Sequence, residues 1–128
     1  MSTTRAFLLL LLSLLFAGCT QSQRRVSSGA QSWPQSLSAE EEARYRRVAW
    51  QAAESREMWE RFKPKRMTTE PVKLSERGIQ YYLDQKRFDR VEVAIPSGGR
   101  VGWHSTYIGV TVARGTYEVL GMHESVWP

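Results

Sequence analysis

The sequence predicts an α+β domain of two N-terminal helices followed by a small antiparallel meander of three to four strands. Three observations carry this prediction. Ser38-Ala39-Glu40-Glu41 is a capping box, and the apolar residues after it recur at helical spacing. After Lys86 the apolar residues alternate instead. Proline and glycine clusters then cut the alternating region into short lengths. A run of helices followed by a run of strands belongs to α+β architecture, because it lacks the strand–helix alternation that parallel sheets need.

The first helix is expected from Ser38 to Phe62 or Lys63, with Tyr45, Val48, Ala49, Ala52, Trp59 and Phe62 on one face. Glu40, Glu41 and Glu42 complement its positive end. Pairs four apart, Glu40 with Arg44, Glu42 with Arg46 and Glu57 with Arg61, support its exposed side. Pro64 stops it, since the residue before a proline avoids helical geometry. Lys63 to Pro71 reads as a loop. A shorter second helix is expected from Ser75 to Lys86, with Ile79, Tyr82 and Leu83 inward and Gly78 as its weak point. Val91, Val93 and Ile95 then mark a half-buried strand, and Pro96-Ser97-Gly98-Gly99 a turn. In Arg100 to Ala113 the apolar phase changes near Ser105, which predicts a turn or bulge there. Arg114-Gly115 connects to a strand at Thr116 to Leu120, which Gly121 ends. The tail to Pro128 extends that strand or wraps back, with Trp127 as a plug.

The other end of the chain concerns location. Arg5 precedes an apolar run from Ala6 to Ala17 that only Ser13 interrupts. A bilayer core needs about 20 apolar residues of helix, so this run fits a secretory signal better than a span. Ala17 and Gly18 stand directly before Cys19, the sole cysteine. This stretch resembles the lipobox of bacterial lipoproteins, with Phe16 where leucine is usual and Leu15 one residue earlier. The resemblance implies cleavage before Cys19 and acylation of its sulfur. Two or three acyl chains hold a domain on a membrane stably, whereas one does so marginally. An ordinary secretory signal and a short uncleaved anchor are the alternatives. Thr20, where an aspartate tends to retain such proteins at the inner membrane, favours the outer membrane facing the periplasm. The expected layout is a signal peptide over 1–18, a flexible Ser- and Gln-rich tether over 19–37, and the α+β domain over 38–128. Trp33 is unusual in such a tether, and belongs either at the membrane interface or docked on the domain.

The net charge of +5 suits anionic partners, but export argues against nucleic acid. With Cys19 acylated, no thiol remains for a disulfide, a structural zinc site or a nucleophile. His104 and His123 lie on different expected strands, so a metal site with Glu118 or Glu124 is not expected, and no cofactor is implied. None of the common hydrolase, metalloprotease or phosphate-loop motifs occurs. The leading expectation is a non-enzymatic lipoprotein that binds another envelope protein. Trp50, nearly opposite the apolar helix face, is its candidate contact, unless it packs under a loop or the tether. The alternative is a glycan- or lipid-binding face built from Trp103, Tyr107 and Tyr117 beside Arg100 or Arg114. A small cell-wall hydrolase is a third expectation, resting on paired carboxylates alone.

Overall fold

A computed structural model describes residues 33–128, so the leader, Cys19 and most of the tether lie outside the described residues. Helix α1 runs over Ala39–Glu54 and starts as its capping box requires. Ser38 Oγ accepts from the Glu41 N–H at 3.1 Å, and Glu41 Oε1 accepts from the Ser38 N–H at 3.2 Å. The predicted single helix is in fact two. Ser55 leaves helical geometry, its N–H donates to Ala52 O, and its hydroxyl accepts from Met58 N–H to open α2 (Arg56–Phe62). Trp59 then folds back, donating its indole N–H to Ala53 O at 2.7 Å. That bond satisfies a carbonyl the end of α1 would otherwise leave open. Among the described residues no helix is long and apolar enough to cross a membrane.

Four antiparallel strands follow, β1 (Gln80–Leu83), β2 (Arg90–Val101), β3 (His104–Ala113) and β4 (Val119–Val126), in the order β1-β2-β3-β4. Alternation assigns the two faces. Val91, Val93 and Ile95 of β2, Ile108, Val110 and Val112 of β3, and Met122 of β4 face α1. They pack on Tyr45, Ala49, Ala52 and Ala53, whose three alanines let the helix lie close to the sheet. No helix packs on the other face among the described residues.

The expected second helix, Ser75–Lys86, is a correction: the segment forms a turn, β1 and a loop. Its inward residues are Ile79, Tyr81 and Leu83, at a spacing of two. Tyr81 pairs with Val93 and Leu83 with Val91. Gly78 sits at φ +90°, which no helix interior allows. The Ser75 hydroxyl accepts from Arg77 N–H in a local turn, and Ser75 N–H donates to Pro96 O. Beyond β1, the N–H groups of Arg87 and Lys86 donate to the Asp84 carboxylate, the Arg87 bond contributing most, and hold it below the usual range.

Two turns also move. Pro96 to Gly99 is a bulge inside β2, and the chain reverses at Gly102-Trp103, with Gly102 at φ +62°. The β4 strand begins at Val119, so Tyr117 lies in the preceding loop at φ +62°, and the strand runs past Gly121 to Val126.

The folded unit begins at Trp33, five residues before the expected domain start. Arg114 accounts for this. Its side chain is wholly buried, pairing with Glu41 at 3.1 Å and donating to the carbonyls of Pro34, Ser36 and Phe88. Trp33 packs against Gly115, where an added Cβ would lie 2.7 Å from the indole. The Arg114 hydrogen bond, ahead of a smaller opposing burial effect, lowers the Glu41 pKa. A lowered folded pKa means the contribution is full above the ordinary carboxylate range and fades as pH falls through the folded value. Arg114→Ala is therefore expected to destabilise by about 2–4 kcal/mol in urea melts, by opening a cavity and leaving the carbonyls of Pro34, Ser36 and Phe88 without that donor, while Glu41 keeps its bond to Ser38. Glu41→Gln should flatten part of the loss of stability on acidification.

Candidate functional site

The helix side of the molecule carries an open hollow of about 510 Å³. Trp50, Ala53 and Glu54 of α1 and Trp59 of α2 form one wall, and Arg66, Val72 and Leu74 of the following loop form the other. The break at Ser55 makes this hollow, since it turns Trp59 back beside Trp50. Trp50 is half-buried, with one edge on the core and the other in the hollow. Its far side borders a second hollow of about 320 Å³ with Arg46, Arg47 and Glu76. Trp50 thus lies beside the 66–74 loop with part of its indole open.

A buried carboxylate shapes the loop wall. Glu124 of β4 accepts from Arg66 Nε at 3.0 Å and from the N–H groups of Met67 and Thr68. Its side chain is almost fully buried, so these donors are its compensation for lost water. Arg66 also donates to Glu70 O. Glu124 therefore serves as a loop clamp. Among the described residues no group of three or more His, Cys, Asp or Glu could hold a metal ion.

The three aromatics of the expected ligand face lie on no common face. Trp103 stands alone at the β2–β3 turn, 97% exposed. Tyr107 lies on the helix-free face, 4.4 Å from Trp127 between ring centroids and edge-on to His123 at 6.0 Å. Tyr117 stacks on Tyr45 at 4.7 Å on the helix side, with Arg44 above it. Burial raises the Tyr45 pKa, and its hydroxyl accepts from Gly115 N–H. Of the two arginines expected beside this face, Arg114 is consumed in the core and Arg100 remains exposed.

The helix-free face holds a pair that sequence reasoning missed. Glu92 of β2 and His123 of β4 reach over β3 and meet at 2.7 Å, Oε1 to Nε2, above Gly109. Oε1 is sealed from solvent and no N–H points straight at it, so the contact is close without being an aligned hydrogen bond. A Cβ on residue 109 would overlap Glu92 Oε1 and lie 2.5 Å from His123 Cε1. The available signal was a glycine inside a valine-rich strand, which marks close approach above the backbone. Among the described residues no hydroxyl or thiol is hydrogen-bonded to this imidazole. The pair spans from β2 to β4 across β3. Gly109→Ala is expected to destabilise by about 1–3 kcal/mol in thermal melts by pushing the two side chains apart, and His123→Ala in the same background should recover part of that loss.

No family model matches the chain, and neither the curated proteins nor the solved structures contain a match.

Proposed function

We propose that the chain is a lipid-anchored envelope lipoprotein, held by acyl chains on Cys19 in the outer membrane and facing the periplasm. In this reading its domain is a non-enzymatic binding subunit of an envelope assembly. The anchor rests on the residues Ala17-Gly18-Cys19 after a short apolar run. The binding role rests on one observation above all: two half-buried indoles, Trp50 and Trp59, line an open hollow at the edge of the core. Aromatic side chains with one face free supply large contact area at small entropic cost, which is why tryptophan concentrates at interface centres. Glu54 and Arg66 at the rim give both signs of charge for orienting a protein partner.

Two measurements test the reading separately. Labelled fatty acid should incorporate into the wild type and not into Cys19→Ser; equal labelling refutes the anchor. A photocrosslinker at the exposed position 54 should capture a defined envelope protein in cells. Trp50→Ala should weaken that capture by about 30-fold, the loss typical of a central interface tryptophan. Trp50→Phe should retain most of it. Undiminished capture in the alanine variant would remove the hollow from the proposed interface.

A further inference from the structure

The β2–β3 hairpin ends in a side chain that the fold does not use. Gly102 takes φ +62° at the first central position of a two-residue turn, and Trp103 follows at the second. Such a turn requires glycine first and places no demand for an indole second. Trp103 is 97% exposed, and Val101 beside it is 37% exposed. Arg100 and His104 flank them, and no acidic residue occurs from Ser97 to Tyr107. The tip thus presents two apolar side chains beside one arginine, with the nearest carboxylate, that of Glu70, at the base of the hairpin near Gly99.

The base of the hairpin is braced. Thr106 Oγ1 accepts from Gly99 N–H at 3.0 Å and lies 2.7 Å from Ser97 Oγ. Lys73 N–H donates to Ser97 O, Ser75 N–H to Pro96 O, and Trp127 N–H to Ser105 O. A Cβ on Gly99 would lie 2.8 Å from Thr106 Oγ1 and 2.9 Å from Thr68 Cγ2, so the bulge is tightly filled. A tip held this way loses little further freedom when it docks.

We propose that residues Arg100 to His104 form a membrane-insertion tip that seats Trp103 and Val101 in the interface of an anionic phospholipid bilayer. Shape favours this occupant. The tip is convex and cannot enclose a small ligand. It also carries few groups for recognising sugar hydroxyls, whereas a lipid interface yields around an inserted indole. Tryptophan settles at the headgroup level of bilayers, and a flanking arginine gains from an anionic surface. The reach is sufficient. Trp33 docks at Gly115, at the far end of β3 from Trp103. A ten-residue strand spans about 34 Å, while the chain from Cys19 to Trp33, fully extended, reaches roughly 50 Å. The tip can therefore meet the same surface to which an anchored chain is attached. This reach rests on the proposed anchor at Cys19, whereas lipid binding by the tip can be read without acylation.

The experiment uses the chain from residue 19 with Cys19→Ser, floated with vesicles of phosphatidylglycerol and phosphatidylethanolamine or of phosphatidylcholine alone. The wild-type tip should bind the anionic vesicles, and brominated acyl chains should quench its tryptophan emission. Trp103→Ser should weaken binding about tenfold or more and remove that quenching, with an unchanged melting temperature because the residue is exposed. Arg100→Glu should weaken binding to anionic vesicles while Arg100→Lys retains it. Equal flotation of Trp103→Ser and wild type would overturn the proposal. So would loss of a protein crosslink in Trp103→Ser with vesicle binding unaltered, which would make the tip a knob for a protein pocket.

Discussion

The buried guanidinium of Arg114 is the constraint on which the arrangement of this domain depends. It sits at the end of β3 and reaches three other parts of the chain. These are the approach segment at Pro34 and Ser36, the first turn of α1 through Glu41, and the β1–β2 loop through Phe88 O. Its own N–H donates to Asp89 O, so backbone and side chain close the same loop. A guanidinium suits this position because its planar fork serves several acceptors at fixed angles. Removing Glu41 would leave the buried guanidinium without its counter-charge, so the four segments are fixed together. Glu41 links this cluster to helix formation, since the carboxylate that pairs with Arg114 also completes the capping box with Ser38.

Glu124 plays the opposite-sign part on β4, nearer the other end of the meander. It gathers Arg66, Met67 and Thr68, none of which packs into the apolar core. The sheet core therefore ends in one buried cation and one buried anion, each holding an irregular segment. Burial of apolar side chains is non-directional and would not place such segments uniquely. Directional bonds to a buried charge do so.

The sequence made some of this legible and concealed the rest for identifiable reasons. Helix α1 was readable because its cap, its acidic first turn and its apolar spacing agree. Its end at Ser55 was missed because Trp59 and Phe62 continue the same spacing, although Ser55 is itself a capping residue. In the 79–83 segment, Ile79, Tyr82 and Leu83 fit a helix while Ile79, Tyr81 and Leu83 fit a strand. Only Gly78 and the partner β2 decide between them, and a partner is invisible in a short window. Pro96 to Gly99 has the composition of a turn, yet the Thr106 hydroxyl satisfies the bulge and lets β2 continue. The Glu92–His123 contact was hidden because it joins strands that are not neighbours. Trp50 was legible as an off-face indole. Its hollow was not, because Trp59, Val72 and Leu74 join it only after the chain turns at Ser55.

The hollow and the clamp are physically one feature. Arg66 lines the hollow and bonds Glu124, so the wall that a ligand would touch is held by a carboxylate on β4. The opposite wall rests on Trp59, whose indole N–H caps α1 while its ring borders the hollow. Ala53, in one wall, belongs to the core under the sheet, and Trp50, Trp59, Val72 and Leu74 pack against its edge. The hollow is therefore the open edge of the core, with its loop wall positioned by polar contacts to Glu124. By contrast, the hairpin tip is held only at its base and presents its apolar atoms outward. The domain thus separates a concave aromatic site from a convex one, and each is built on backbone that buried polar groups hold in place.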